Sequence, residues 1–258
     1  MIVVLASRHD REAHRLAEAW HRHDARVMTP DDLSVAGWQV RAPGALSSRV
    51  VVGGDVVDDA AVTGVVTRLM TVPAEELRRV REVDRAYAAR EMTAFLGFWL
   101  STLACPVLNP PAAVHLCGPG WRDERWLLTA SRLGIAVVPR ARGTGVPDRP
   151  GTRAETAPAG HLSCTVVGDR CLHRPGSPPP GTREPADDGV AERAAEAALR
   201  LARAAGAPLV DLRFAVGEDG PALVSADVRV DVSDPDVRAA MIEHLRGSLV
   251  AAPLRRFP

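Results

Sequence analysis

The sequence contains no lysine; all 32 of its basic side chains are arginine. No lysine can therefore serve it as Schiff-base nucleophile, general base or phosphate clamp. Net charge is absent too, at a formal +0. That leaves no electrostatic footprint for nucleic acid or for an anionic membrane surface. No segment approaches the roughly 20 consecutive apolar residues of a membrane helix. The first residues, MIVVLASRHDRE, have no basic n-region and too short an apolar run for a signal peptide. The four cysteines (Cys105, Cys117, Cys164, Cys171) form no CxxC pair. These features together predict a reduced, cytoplasmic protein. No glycine-rich loop follows the first apolar run, so a dinucleotide fingerprint is missing as well.

What is present is clearest from Cys105 to Pro139, CPVLNPPAAVHLCGPGWRDERWLLTASRLGIAVVP. Val107 and Leu108 form a short strand stopped by Asn109-Pro110-Pro111, because proline fixes φ and disfavours helix for the residue before it. Trp121, Leu127, Leu128, Ala130 and Leu133 then recur at roughly helical spacing, and Gly134 closes that helix. Ile135 to Val138 reads as a buried strand.

Upstream, Ile2–Leu5 is a first strand, with Ser7 placed to cap a helix whose apolar face is Ala13, Leu16, Ala17 and Trp20. Arg26–Met28 is a second strand, giving the β-α-β start of an open parallel sheet. Val40–Pro43, Arg49–Val57 and Gly64–Leu69 read as further strands, and the continuous run Val50–Val52 suits burial on both faces. Pro73 is placed to start a helix. Asp84–Leu103 is the longest predicted helix, its aromatic residues assigned to the core. His9, His14, His21 and His23 are read as residues of a solvated helix, since no carboxylate or thiol partner for a metal can be placed beside them.

Downstream, Arg140–Gly160 is a Pro/Gly/Thr/Arg-rich linker with almost no apolar content. His161–His173 reads as a hairpin turning at Gly168-Asp169. Arg174–Gly189 is a second loop. Val190–Ala205 is a helix with Ala191, Ala194, Ala195, Ala198, Leu201 and Ala202 on one side. Leu209–Phe214 and Ala222–Val230 are strands joined through Gly217–Gly220, and Asp234-Pro235 caps a last helix over 236–245.

The helix wording D-x-x-Y-x-x-x-E…W, running into PVLN-P and then W…L…A…GI…VP, resembles the pre-ATP-grasp domain of ATP-grasp proteins. Within them it is most similar to the branch of glutathione synthetase-like and peptide-modifying carboxylate–amine ligases. The hairpin V-V-G-D and the order helix–VDLR–DG–strand–helix resemble the second half of that family. The specific wording covers 84–139, 164–170 and 206–211; elsewhere the likeness lies in the order of elements. The resemblance implies an α/β fold: a pre-ATP-grasp-like open-sheet domain over 1–139, then a truncated ATP-grasp-like α+β half over 161–258. In the family, the segment after the VP strand is a lysine-bearing subdomain that closes over the nucleotide. Here the 140–160 linker stands in its place.

The resemblance further implies a magnesium-binding acid at Asp211. The second family position, Glu-x-Asn, is replaced by Ser225-Ala226-Asp227-Val228-Arg229. Counted from Gly220, the family glutamate falls at Ala226, so Asp227 is expected one residue out of register and on the other face. Asp211 with Asp227 or Asp231 is thus either a magnesium site or a remnant set of acids paired with Arg213 and Arg229. Across the first hairpin, Cys164 is expected to face His173 with Cys171 on the same side, either a zinc or reactive-thiol site or ordinary buried thiols. Arg122 and Arg125, at a helix N-terminus, are candidates for holding an anion, in competition with Asp123 and Glu124.

Three functions remain open on these residues. The first is a degenerate ATP-grasp relative that does not hydrolyse ATP, binds no cofactor, and works as a partner or substrate-binding subunit in peptide or natural-product modification. Its partner would be a full-length ligase, a peptide substrate or a second copy of the chain. The second is a remodelled carboxylate–amine ligase using ATP and magnesium, with arginines in place of lysine clamps. The third is new chemistry at the Cys/His hairpin.

Overall fold

The computed structural model describes residues 1–41, 48–139, 160–175, 188–217 and 219–251. In chain order the first elements are β1 (Ile2–Leu5), α1 (Arg11–Ala19), β2 (Ala25–Met28), β3 (Arg49–Val52), β4 (Asp55–Asp58), β5 (Gly64–Thr67), α2 (Glu82–Thr102) and β6 (Val107–Leu108). There follow α3 (Asp123–Arg132), β7 (Gly160–Val167), β8 (Arg170–Pro175), α4 (Asp188–Ala205), β9 (Leu209–Gly217), β10 (Gly220–Asp227) and α5 (Pro235–Ala251). Two compact units result. One comprises Met1–Gly120, Ala205–Leu209 and Val228–Pro258; the other comprises Trp121–Ala204 and Val210–Asp227. The C-terminal helix returns to the first unit.

The first unit holds a parallel sheet in the order β2-β1-β5-β6. Every residue of β1 and β5 is buried, as their unbroken apolar runs require when helices cover both faces. Arg49–Val57, expected as a strand interrupted by Gly53-Gly54, is a hairpin. Gly53 and Gly54 take positive φ (61° and 86°) and turn β3 back onto β4. Val50, Val51 and Val52 are fully buried. Residues 42 and 43 of the expected Val40–Pro43 strand lie outside the described residues, and Gln39 makes only an isolated bridge to Arg49.

Three local readings are corrected by tertiary contacts. Asp10, not Ser7, caps α1, its carboxylate accepting from the Ala13 N–H at 3.1 Å. The Ser7 hydroxyl instead donates to the buried Glu76 carboxylate at 2.6 Å. Pro73 precedes a single 3-10 turn, Ala74–Glu76, rather than a helix. In α2 only Ala89, Leu96, Trp99 and Leu100 are buried. Trp99 packs edge-on to Trp38 at 5.9 Å, whereas Tyr87 and Phe98, expected in the core, are 68% and 47% exposed.

Asn109, from the PVLN motif, is the polar staple of this unit. It is fully buried and takes a left-handed φ of 62°, a region that asparagine tolerates better than most residues. Its Nδ2 donates to the carbonyls of Leu209 (2.7 Å) and Val228 (3.3 Å), and its Oδ1 accepts from the Leu209 N–H at 3.0 Å.

The second unit is an antiparallel sheet in the order β10-β9-β7-β8, with α3 and α4. The small residues Ala191, Ala194 and Ala198, with Leu201, form the buried side of α4. Gly206 (φ 62°) follows the end of α4 as the motif predicts. Gly134 (φ 73°) likewise ends α3, with the Ile135 N–H bonding back to the Ala130 carbonyl at 2.9 Å. Ile135–Val138 forms a single parallel bridge, Val137 to Leu223, rather than a full strand.

Candidate functional site

Thr165, Asp211 and Asp227 of the second unit gather on one face of its sheet. In β9, Val210, Leu212 and Phe214 are buried while Asp211 and Arg213 alternate with them on the other face. In β10, Leu223 lies opposite Phe214 and Ala226 opposite Leu212, and both are buried. Two residues three apart cannot share a face of a regular strand. The ladder resolves this with a register shift between Leu223 and Ser225, a β-bulge at Val224.

That bulge corrects the reading of Asp227. Instead of pointing to the opposite face, Asp227 is the direct cross-strand partner of Asp211. Two carboxylates so placed sit on one face, with Cβ atoms about 4.5–5.5 Å apart in such pairs. Thr165 joins them from β7, its hydroxyl donating to Asp211 Oδ1 at 3.1 Å. Sequence reasoning missed Thr165; its outward position between the buried Cys164 and Val166 was the available signal. Arg213 lies opposite Ser225, two residues along the same strand from Asp211. Asp231 belongs to the other unit. Among the described residues no group of three His, Cys, Asp or Glu side chains is placed to hold a metal ion. Two hard-oxygen ligands therefore stand where a divalent cation wants about six.

The first hairpin has the expected register. Gly168, at φ 62°, and Asp169 form the turn, and Cys164 pairs with His173 and Val166 with Cys171. Cys164, Cys171 and His173 thus share a face. Cys164 is fully buried and hydrogen-bonded to Cys171. That bond, with burial and the nearby charge of Asp211, pushes the Cys164 thiol far above its ordinary range. The same bond holds the Cys171 thiol below its ordinary range, against burial. No disulfide joins the four cysteines. Burial also raises Cys105, to about 11.

Arg122 stands at the N-cap position of α3 without a side-chain capping bond. Arg125 lies over the Trp121 ring at 4.7 Å, a cation–π contact, and Trp121 packs edge-on against Trp126 at 4.9 Å. The 140–160 segment, expected to replace a nucleotide lid, lies outside the described residues except for Gly160. The histidines of the first helix bond locally, His14 to the Arg8 carbonyl and His21 to the Glu18 carbonyl.

No protein-family model and no curated protein matches the sequence. Solved structures do match its fold. The macrocyclase MdnC from Microcystis aeruginosa MRC, solved bound with precursor peptide MdnA, superposes with a TM-score of 0.67 at 12% identity, over 96% of this chain and 100% of that one. A Chryseobacterium gregarium RiPP-associated ATP-grasp ligase, in complex with ADP and a leader and core peptide, gives 0.64 at 10% identity over 96% of both chains. This chain has the ATP-grasp fold. A RimK domain ATP-grasp protein from Sphaerobacter thermophilus DSM 20745 gives 0.51 at 17% identity over 97% of this chain and 99% of that one. Within the ATP-grasp fold, β9 and β10 correspond by order to the strands that the sequence resemblance marks as metal-binding. The Asp211–Asp227 face is therefore the candidate site.

Proposed function

We propose that this ATP-grasp-fold protein does not hydrolyse ATP and acts in peptide modification as a partner or substrate-binding subunit. The observation that carries this reading is the reduced acid site. It holds two carboxylates, and among the described residues no third acid, cysteine or histidine is placed with them to hold a metal ion. The absence of lysine supports the same reading, as does the polar segment 140–159, too short at twenty residues for a nucleotide-closing subdomain. The peptide component comes from MdnC and the Chryseobacterium ligase, both solved with peptide.

Thermal unfolding with and without millimolar ATP or ADP and Mg²⁺ tests it. A ligand at 100 times its Kd stabilises by about 2.7 kcal/mol, several degrees for a chain of this size. No shift is expected. A clear magnesium-dependent shift would overturn the non-hydrolysing reading.

One observation favours the second reading, a remodelled carboxylate–amine ligase. The bulge at Val224 keeps Asp227 opposite Asp211, as a shared cation site needs. On that reading arginines hold the phosphates, and the magnesium-dependent shift disappears in Asp211→Asn.

A further inference from the structure

Outside the acid site, the first unit carries a cleft of about 750 Å³ between α2 and the segment 111–116. Ala94 and Gly97 leave room along the helix, with Phe98, Pro111 and Val114 beside them. Phe98 is 47% exposed and Val114 70%. The same helix face continues past the cleft. Val83, Tyr87, Arg90, Ala94 and Phe98 all lie within about 60° of one line at 100° per residue, and Val83 and Tyr87 are 84% and 68% exposed. The stripe from Val83 to Phe98 is about 22 Å long at 1.5 Å per residue. That is the span of about seven residues of extended chain.

Arg90 is the only residue of fixed charge lining the cleft. Its guanidinium makes no hydrogen bond or ion pair among the described residues. Glu91 lies about 100° from Arg90 around the helix, at the edge of the stripe near Phe98, and is not in the cleft lining. His115 adds a second polar group, a buried Nδ1 without a partner. An apolar stripe with, at its middle, a cation that has no partner among the described residues suits an occupant that is apolar at both ends and negative between. Its length suits a polypeptide better than a compact small molecule.

We propose that this face of α2 docks an extended peptide that sets a carboxylate on Arg90, between one apolar side chain at Val83 and Tyr87 and another at Phe98 and Val114. The pattern is apolar-x-x-acid-x-x-apolar. This inference goes beyond the reading of the acid site and does not rest on it. Binding here needs neither nucleotide nor magnesium, so a nucleotide-induced thermal shift would end the non-hydrolysing reading and leave this one standing.

Selection of displayed random heptapeptides on the full-length protein, without nucleotide, tests it. Peptides with the stated pattern should be enriched. A synthetic enriched peptide, followed by fluorescence polarisation, should bind at least tenfold more weakly when its acid is changed to the amide. Arg90→Gln should cost the same factor and make the protein indifferent to that change. Phe98→Asp should abolish binding. Both positions are exposed, so both variants should keep the wild-type melting profile. The proposal is overturned if no peptide is enriched, if the enriched peptides carry no acid, or if Arg90→Gln binds them unchanged. It is also overturned if sedimentation shows a dimer that Phe98→Asp dissociates, since a second copy would then own the face.

Discussion

All seven buried polar or charged residues among those described, Asp32, Ser48, Thr67, Arg68, Glu76, Asn109 and Asp234, belong to the first unit. The second unit keeps Thr165, Asp211, Arg213 and Asp227 half-buried or exposed on one sheet face. Arg68, Glu76 and Asn109 in the first group are satisfied by partners far along the chain. Arg68 donates to Asp10 (2.9 Å), Glu12 (2.6 Å) and the Val230 carbonyl (2.9 Å). Glu76 accepts from Ser7 and from the Arg8 N–H. Such groups fix which segments meet, and removing one partner strands the other in a dry interior. The second group contains two carboxylates directly opposite each other, an arrangement that costs stability unless other groups offset it. Polar residues in the first unit thus serve the fold, while those named in the second stay within reach of solvent.

The largest effect that could break this contrast is expected at Arg68. Its side chain is 4% exposed and that of Asp10 9%. Arg68→Ala should cost about 3–5 kcal/mol in urea unfolding, because it leaves the Asp10 charge buried without its partner. A loss below about 1 kcal/mol would mean that the pair is solvated and the contrast false. Asn109→Ala comes next. It strands the Leu209 N–H together with the Leu209 and Val228 carbonyls, for about 2–3 kcal/mol. Thr165→Val, its counterpart in the second unit, should cost well under half of that.

Much of this architecture can be read from the sequence where a local rule has no competitor. The two-residue turn at Gly168-Asp169 sets the register that pairs Cys164 with His173, since loop length decides hairpin pairing. The unbroken runs of β1 and β5 announce burial on both faces. The misreadings share a different cause. Ser7 looks like a cap until Glu76, distant in sequence, takes its hydroxyl. Tyr87 and Phe98 look like core residues because helical spacing reveals a stripe but not what covers it. Asp211 was legible by position. Its partner Asp227 was not, because one extra residue at Val224 rephases the strand, and only the burial of both Leu223 and Ala226 reveals that residue.

A smaller effect sharpens the contrast through pH. Burial raises the pKa of Asp10, but the hydrogen bonds from Arg68 and the Ala13 N–H and the charges of Arg68 and Arg229 outweigh it, holding the carboxyl below its ordinary value. The native state therefore binds this proton less readily than the unfolded chain. The stabilisation is complete above about pH 4, the unfolded value, and is lost as pH falls through the folded value. The urea midpoint of the wild type should fall more steeply below pH 4 than that of Asp10→Asn. Parallel curves would show that Asp10 titrates alike in both states.

The smallest effect is expected at the acid pair itself. Asp227 is exposed and Asp211 only half-buried, so solvent screens both charges. Asp227→Asn should move stability by less than about 1 kcal/mol in either direction, against the several lost at Arg68. If Asp227→Asn instead destabilises by as much as Asn109→Ala, the pair is a structural staple like those of the first unit and is not held in reserve for a ligand. If stability barely moves and added Mg²⁺ raises the melting temperature of the wild type but not of the variant, the two carboxylates still bind a cation. The remodelled-ligase reading would then displace the non-hydrolysing one. A variant that matches the wild type with and without Mg²⁺ leaves the face polar, solvated and without a metal, as two ligands lead one to expect.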